Sequence, residues 1–310
     1  METSFKCWSS LEPMAKTLPG LFYYDYGPQG TSDKPILILI HGLGDEADTW
    51  RHVIKPLGEA GYRVLAPDLP GFGRSATNKR SSVALHRDAV LTLAETVSEN
   101  PEQNIVLIGS SMGATIAEAA ALASSSIKAL ILLDGCIPME SSGGSSQILL
   151  SALPVYGSRR YRSFRKYQDR AWLSLFSYYA DLQKLSDEDK NFLRTRVVER
   201  VNSVSQERGY LSSLRSMIFQ SLRSPYYKQI GSWPGKIALI WGEKDNIMPV
   251  SNAGFFIKLR GTNTTELFSI PEAGHLPHQE KPAETADVIL QFLWKLSHFQ
   301  NSFSFEKAST

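Results

Sequence analysis

The sequence predicts an α/β fold, a doubly wound and mostly parallel sheet with an inserted helical cap. Short apolar runs that are continuous rather than alternating suit strands buried on both faces of a parallel sheet, and segments of helical period lie between them. One long stretch without a strand-like run interrupts this alternation, which then resumes.

The first strong run is Pro35-Ile36-Leu37-Ile38-Leu39-Ile40, ending at His41-Gly42. Tyr62–Ala66, Ile105–Ile108, Ala129–Leu133 and Ile237–Trp241 share its texture, and Glu266–Ile270 reads as the last strand. Helical period marks Ser82–Val97 and the Ala-rich Ala114–Ser124. From Asp134 to about Ser232 the segments are helix-like: Gln147–Leu153, Ser163–Tyr179, Glu188–Ser203 and Gly209–Leu222, after a flexible-looking Ser141-Ser142-Gly143-Gly144-Ser145-Ser146. The expected organisation is a core in two parts, 1–136 and 232–298, around a cap at 137–231. The tail, 299–310, has no clear period and is expected to be partly disordered.

Composition narrows the function. The 310 residues, 42% hydrophobic and 21% charged, suit one large globular domain or a domain with an insertion. A net charge of +2 does not suggest a nucleic-acid partner, which would call for a concentrated basic face. Cys7 and Cys136 have neither a disulfide framework nor metal-ligand spacing, and read as reduced thiols. Met1-Glu2-Thr3-Ser4-Phe5-Lys6 lacks a secretory pattern, no apolar run of about eighteen residues exists, and Ala308-Ser309-Thr310 is no familiar address. A cytoplasmic protein without a membrane span is the expectation.

Gly109-Ser110-Ser111-Met112-Gly113 lies between a strand and a helix. Such a pattern arises by composition alone in about one chain in ten of this size, so its placement carries the weight. A sharp strand-to-helix turn exposes a serine oxygen above the sheet, and the flanking glycines let neighbouring chains pass close to it. Serine also needs a base. His275, at the end of Ile270-Pro271-Glu272-Ala273-Gly274-His275 after the last strand, is the candidate; nearby His278 reads as a surface histidine. An acid that orients the imidazole belongs at the carboxyl end of a strand. Asp245, in Gly242-Glu243-Lys244-Asp245, is the candidate; Asp134 is the rival, and Glu243 reads as solvated. A developing oxyanion needs two N–H donors, and the backbone N–H groups of Leu43 and Met112 fit that need. His41 reads as a structural histidine that holds the Gly42–Gly44 loop.

The chain order nucleophile, acid, base and the motifs together resemble the α/β-hydrolase superfamily, in particular its capped, esterase- and lipase-like serine hydrolases. His41-Gly42-Leu43-Gly44, Asp68-Leu69-Pro70-Gly71-Phe72-Gly73-Arg74-Ser75, the Ser111 turn, Gly242–Asp245 and Gly274-His275-Leu276-Pro277-His278-Gln279-Glu280-Lys281-Pro282 carry the resemblance, over about residues 20–135 and 232–298. Ser110 and Ala114 depart from it, standing where the family often has histidine and glycine. Ser111 separates the chain from the epoxide-hydrolase and haloalkane-dehalogenase branches, which use an aspartate nucleophile. The resemblance implies hydrolysis of a carboxylic ester, lactone or thioester on a small-molecule substrate, through Ser111, His275 and Asp245. No cofactor or metal is expected. Two alternatives stay open: carbon–carbon bond hydrolysis or acyl transfer by the same residues, and a receptor-like ligand-binding protein with little turnover. The cap aromatics Tyr156, Tyr161, Phe164, Tyr167, Trp172, Phe176, Tyr178 and Tyr179, interleaved with Arg159, Arg160, Arg162, Arg165, Lys166 and Arg170, read first as an amphipathic surface and second as a pocket wall.

Overall fold

A computed structural model of the chain describes residues 5–30, 33–75, 80–98, 100, 103–135, 152–221, 224–262 and 264–307. Among these residues the strands are β1 Ala15–Leu18, β2 Leu21–Tyr26, β3 Ile36–Ile40, β4 Val64–Pro67, β5 Ile105–Ser110, β6 Ile127–Leu133, β7 Lys236–Gly242 and β8 Thr265–Ile270. They form one sheet in the order β1-β2-β4-β3-β5-β6-β7-β8. The pairs β1–β2 and β2–β4 are antiparallel, and the remaining pairs are parallel.

The continuous apolar runs follow from burial on both faces. Ile36, Ile38 and Ile40 of β3 join Leu107, Leu130, Leu239 and Trp241 on one side, while Leu37 and Leu39 join Ile108, Ile131 and Ile240 on the other. Each such side chain contributes about 1.5–3 kcal/mol when fully buried, so a polar residue at any of these positions would be costly. Helices α1 Ile54–Glu59, α2 Val83–Val97 and α3 Met112–Ala121 belong to the first half, and α2 and α3 cover the first face. Ser82 caps α2, its hydroxyl accepting from Leu85 N at 3.1 Å.

Between β6 and β7 the described elements are helical: α4 Pro154–Lys166, α5 Gln168–Ser174, α6 Asp187–Asn202, α7 Val204–Ser221 and α8 Ser224–Ser232. After β7 come α9 Ser251–Arg260, α10 Pro277–Glu280 and α11 Pro282–Lys307. Residues Ile289 and Phe292 of α11 cover the second face.

The sequence reading differs from the structure in three places. It omitted the β1–β2 hairpin, whose edge strand shows no buried residue and therefore no apolar run to notice. It started the second insertion helix at Ser163, whereas the chain is helical from Pro154 and breaks at Tyr167. It also read 299–310 as a tail without clear period, whereas α11 continues to Lys307. Cys136, Ser141–Ser146 and most of Gln147–Leu153 lie outside the described residues. Among the described residues no helix is long and apolar enough to cross a membrane.

Buried charges tie the helical insertion to the loop after β3. Arg200 of α6 donates to Glu46 Oε2 at 2.9 Å and to Asp45 Oδ1 at 2.6 Å. Arg196 pairs with Glu46 at 3.2 Å and lies 3.6 Å from Asp48. From the other direction Arg51 donates to Asp189 of α6 at 2.7 Å. Burial raises the Glu46 carboxyl, but the guanidiniums of Arg200 and Arg196 outweigh it and hold it at about 2. A depressed carboxyl contributes stability above its ordinary range, and that contribution is lost as pH falls towards the folded value.

Arg200→Ala should therefore cost about 3–5 kcal/mol of unfolding free energy, because it strands a buried carboxylate. Arg194→Ala, whose pair with Asp169 is solvent-exposed at 3.2 Å, should cost under about 1 kcal/mol. Urea unfolding at neutral pH compares the two, and equal costs would contradict the anchoring role. Repeated at falling pH, the gap between Arg200→Ala and the wild type should narrow, because the wild type loses the contribution of its depressed Glu46 carboxyl while the variant already lacks it.

Candidate active site

The carboxyl ends of β5, β7 and β8 bring Ser111, Asp245 and His275 together. Ser111 sits between β5 and α3 with φ 52° and ψ −114°, a backbone conformation that a non-glycine residue adopts only under strain. The turn is tight enough that a Cβ on Gly109 would overlap the Gly113 carbonyl, and one on Gly113 would overlap the Ile40 carbonyl. Both glycines are thus demanded by close approach. Ser111 N donates to Leu133 O at 2.8 Å, which pins the turn to the end of β6.

His275 Nε2 lies 3.0 Å from Ser111 Oγ, and its Nδ1 lies 2.7 Å from Asp245 Oδ2. An ionised Asp245 can only accept, so Nδ1 carries the proton and neutral His275 turns an acceptor nitrogen to the serine. Asp245 is oriented by its own loop: its Oδ1 accepts from Ile247 N at 2.7 Å and Met248 N at 2.9 Å. The Trp241 indole donates to Met248 O at 2.7 Å and closes that loop against β7. His275 N donates to Tyr178 O at 2.8 Å, so the insertion reaches the base directly.

Glu280 is a structural residue of the site that the sequence reading quoted only as part of a motif. Its oxygens accept from Gly274 N at 2.7 Å and Ala180 N at 2.8 Å, joining the His275 loop to the insertion. Burial raises its carboxyl, against the lowering effect of those N–H groups.

Other predicted residues take their places around this centre. Met112 follows the serine as the first residue of α3, whose N–H the helix leaves unpaired, and a Cβ on Gly42, the neighbour of Leu43, would lie 3.4 Å from the Ser111 Cβ. His41 is buried, its Nε2 accepting from Leu69 N at 2.9 Å and its Nδ1 2.8 Å from Gly42 O. It bridges the loops after β3 and β4, as a structural histidine would. Burial lowers its pKa, which suits the neutral form these two contacts require. Glu243 is exposed.

His278 is a correction. It is fully buried rather than on the surface, with Nε2 2.8 Å from Thr49 Oγ1 and its ring stacked 4.3 Å from Trp50. Burial, then Arg51, lowers its pKa to about 3, so it stays neutral. A short helix after His275 turns this side chain inward, and the sequence carries no local sign of that.

The rival acid Asp134 is also present. It ends β6 with φ 46°, is fully buried, and its carboxylate, that of Asp245 and the His275 imidazole bring ligating atoms within 4.8 Å of one another. This is the only such group of potential metal ligands among the described residues. Two ligands of one zinc ion at its usual bond lengths stand about 3.3 Å apart in a tetrahedral site. His275 Nδ1 and Asp245 Oδ2 are 2.7 Å apart, hydrogen-bonded with no room for an ion between them. The set fits an acid–base pair with a second acid beside it.

From the insertion, Tyr161 of α4 and Tyr210 of α7 place their rings 5.4 Å apart, and the Tyr178 ring lies 5.8 Å from that of His275. All three are only partly buried, yet burial raises each phenol above its ordinary pKa. Tyr210 had no motif to single it out. Tyr179, by contrast, is core: it is 3% exposed and its hydroxyl donates to Gln279 Oε1 at 2.9 Å.

A model of the alpha/beta hydrolase fold family matches residues 35–282. A 2-hydroxy-6-oxononadienedioate/2-hydroxy-6-oxononatrienedioate hydrolase from Escherichia coli is 26% identical over 272 residues, 85% of this chain and 88% of the relative. Among solved structures, a thermophilic esterase from Thermogutta terrifontis superposes with a TM-score of 0.71 at 22% identity, over 91% of this chain and 97% of its own. A meta-cleavage product hydrolase from Pseudomonas fluorescens gives 0.68 at 22% identity, over 89% and 94%.

A serine oxygen held beside an imidazole should react with phosphonylating reagents. A fluorophosphonate is expected to add to Ser111, with the adduct located by peptide mass spectrometry, and Ser111→Ala should abolish labelling. Full-strength labelling of that variant would place the reactive group elsewhere.

Proposed function

The chain belongs to the α/β-hydrolase fold family, and on that premise we propose that it is a serine hydrolase cleaving a carboxylic ester, lactone or thioester through an acyl-enzyme on Ser111. The observation that carries the proposal is the contact series Ser111 Oγ–His275 Nε2 at 3.0 Å and His275 Nδ1–Asp245 Oδ2 at 2.7 Å. In this reading His275 takes the Ser111 proton as the oxygen attacks the acyl carbon, and Asp245 stabilises the imidazolium that forms. The carbonyl oxygen becomes an anion, received by the N–H groups of Leu43 and Met112. Collapse expels the leaving group, which takes the proton from His275. A water activated by the same imidazole then releases the acid and restores Ser111.

A second reading uses the same residues to break a carbon–carbon bond. The similarity to the Escherichia coli dienedioate hydrolase favours it, at 26% identity over most of both chains. A panel of p-nitrophenyl esters, lactones and vinylogous diketones separates the two. Turnover confined to the diketones would replace the first reading by the second, and turnover of none would favour a receptor-like protein.

Ser111→Ala and His275→Ala should each lower kcat on the preferred substrate by roughly 10³ or more, with the thermal midpoint little changed. Specificity should depend on the insertion. Tyr161→Ala and Tyr210→Ala should reorder the ester panel by about tenfold between substrates, the scale of one lost pocket contact. Tyr179→Ala should instead lower thermal stability and reduce all activities together, because that side chain is core. Reordering by Tyr179→Ala alone would contradict this division.

A further inference from the structure

Asp134 has a place in the fold that the proposed reaction does not use. It follows β6, one strand over from Asp245. Its Oδ1 accepts from Gly242 N at 2.8 Å, and its Oδ2, buried from solvent, finds no donor among the described residues. The charged or titratable groups that face it are Asp245 from the loop after β7, Glu280 from α10, and His275, whose nitrogen lies within the same 4.8 Å group. None of these described groups supplies Oδ2 with a compensating cation.

Two buried carboxylates side by side cannot both be ionised, so the pair holds one proton. The hydrogen bonds decide where it sits. Asp245 accepts from Ile247 N, Met248 N and the His275 ring, which favour its anion, whereas among the described residues Asp134 accepts from Gly242 N alone. We propose that Asp134 is a protonated positioning residue whose carboxyl O–H donates to the Asp245 carboxylate, so that Asp134, Asp245, His275 and Ser111 form one hydrogen-bonded chain. This rests on the serine-hydrolase reading. Burial, followed by the charge of Asp245, raises the Asp134 carboxyl well above its ordinary range, in keeping with the proton's position. The O–H supplies the donor that Oδ2 lacks, holds the loops after β6 and β7 in register, and leaves Asp245 a poorer acceptor for the imidazole proton.

The sign of the pH effect follows. Folding keeps a proton that the unfolded chain releases above the ordinary carboxyl range, so wild-type stability should fall as pH rises through that window. At still higher pH, ionisation of Asp134 should repel Asp245 and lower kcat/KM.

The test combines infrared spectroscopy, unfolding and kinetics on the full chain. The wild type at neutral pH should show the carbonyl stretch of a protonated carboxyl, lost in Asp134→Asn. Asp134→Asn preserves a neutral donor and should keep kcat within about threefold, with no alkaline loss and a flatter stability–pH slope. Asp134→Ala removes the donor and should lower kcat roughly tenfold, with KM little changed, as expected for loss of one hydrogen bond to a charged group. No protonated-carboxyl band in the wild type would overturn the proposal, as would an Asn variant as impaired as the Ala variant. The infrared band requires no substrate. A band present in a chain that labels with no fluorophosphonate and turns over no ester would reject the hydrolase reading alone.

Discussion

The 2.7 Å hydrogen bond between His275 Nδ1 and Asp245 Oδ2 is the contact on which the rest of the site depends. It selects which ring nitrogen faces Ser111 and joins the loops that follow β7 and β8. Neither loop is regular structure, so each needs its own fastening. Asp245 is held by two backbone N–H groups and by the Trp241 indole behind them. His275 is held by the Tyr178 carbonyl and by Glu280, which takes up the N–H groups of Gly274 and Ala180. Buried carboxylates are costly unless their oxygens are engaged, and here those engagements set the geometry.

The sheet was legible in the sequence because burial on both faces leaves runs such as Ile36–Ile40 with no polar interruption. Ser111 was legible because close approach at Gly109 and Gly113 admits only glycine, which writes a local pattern into the chain. What escaped was nonlocal or weakly apolar. The β1–β2 hairpin has an edge strand without a buried residue, although Pro19-Gly20 marks its turn. The inward turn of His278, the pairing of Arg196 and Arg200 with the loop after β3, and the approach of Tyr210 to Gly44 depend on segments far apart in sequence. Asp134 was legible as an acid at a strand end, but not as a neighbour of Asp245.

The insertion and the sheet are one electrostatic unit. Arg200 meets Asp45 and Glu46, which stand two and three residues from Leu43. The helix that carries this arginine therefore helps fix the loop whose Leu43 N–H is proposed to receive the oxyanion. The same insertion brings the Tyr178 ring against His275, and the Tyr161 ring against that of Tyr210, which approaches Gly44. The proposed chemistry on the sheet and the proposed selection by the insertion thus fall on separate residues that are joined by a buried ion-pair network. Its members compensate one another, so losing one strands the others.

The central claim is a covalent acyl-enzyme on Ser111, and partitioning between water and methanol tests it most directly. Esters that share one acyl group but carry different alcohols would be turned over in the presence of methanol, and the ratio of methyl ester to free acid measured. A common acyl-enzyme requires the same ratio for every leaving group. A ratio that changes with the leaving group would contradict the account, because water and methanol would then be meeting the substrate itself rather than an intermediate that has already lost its alcohol.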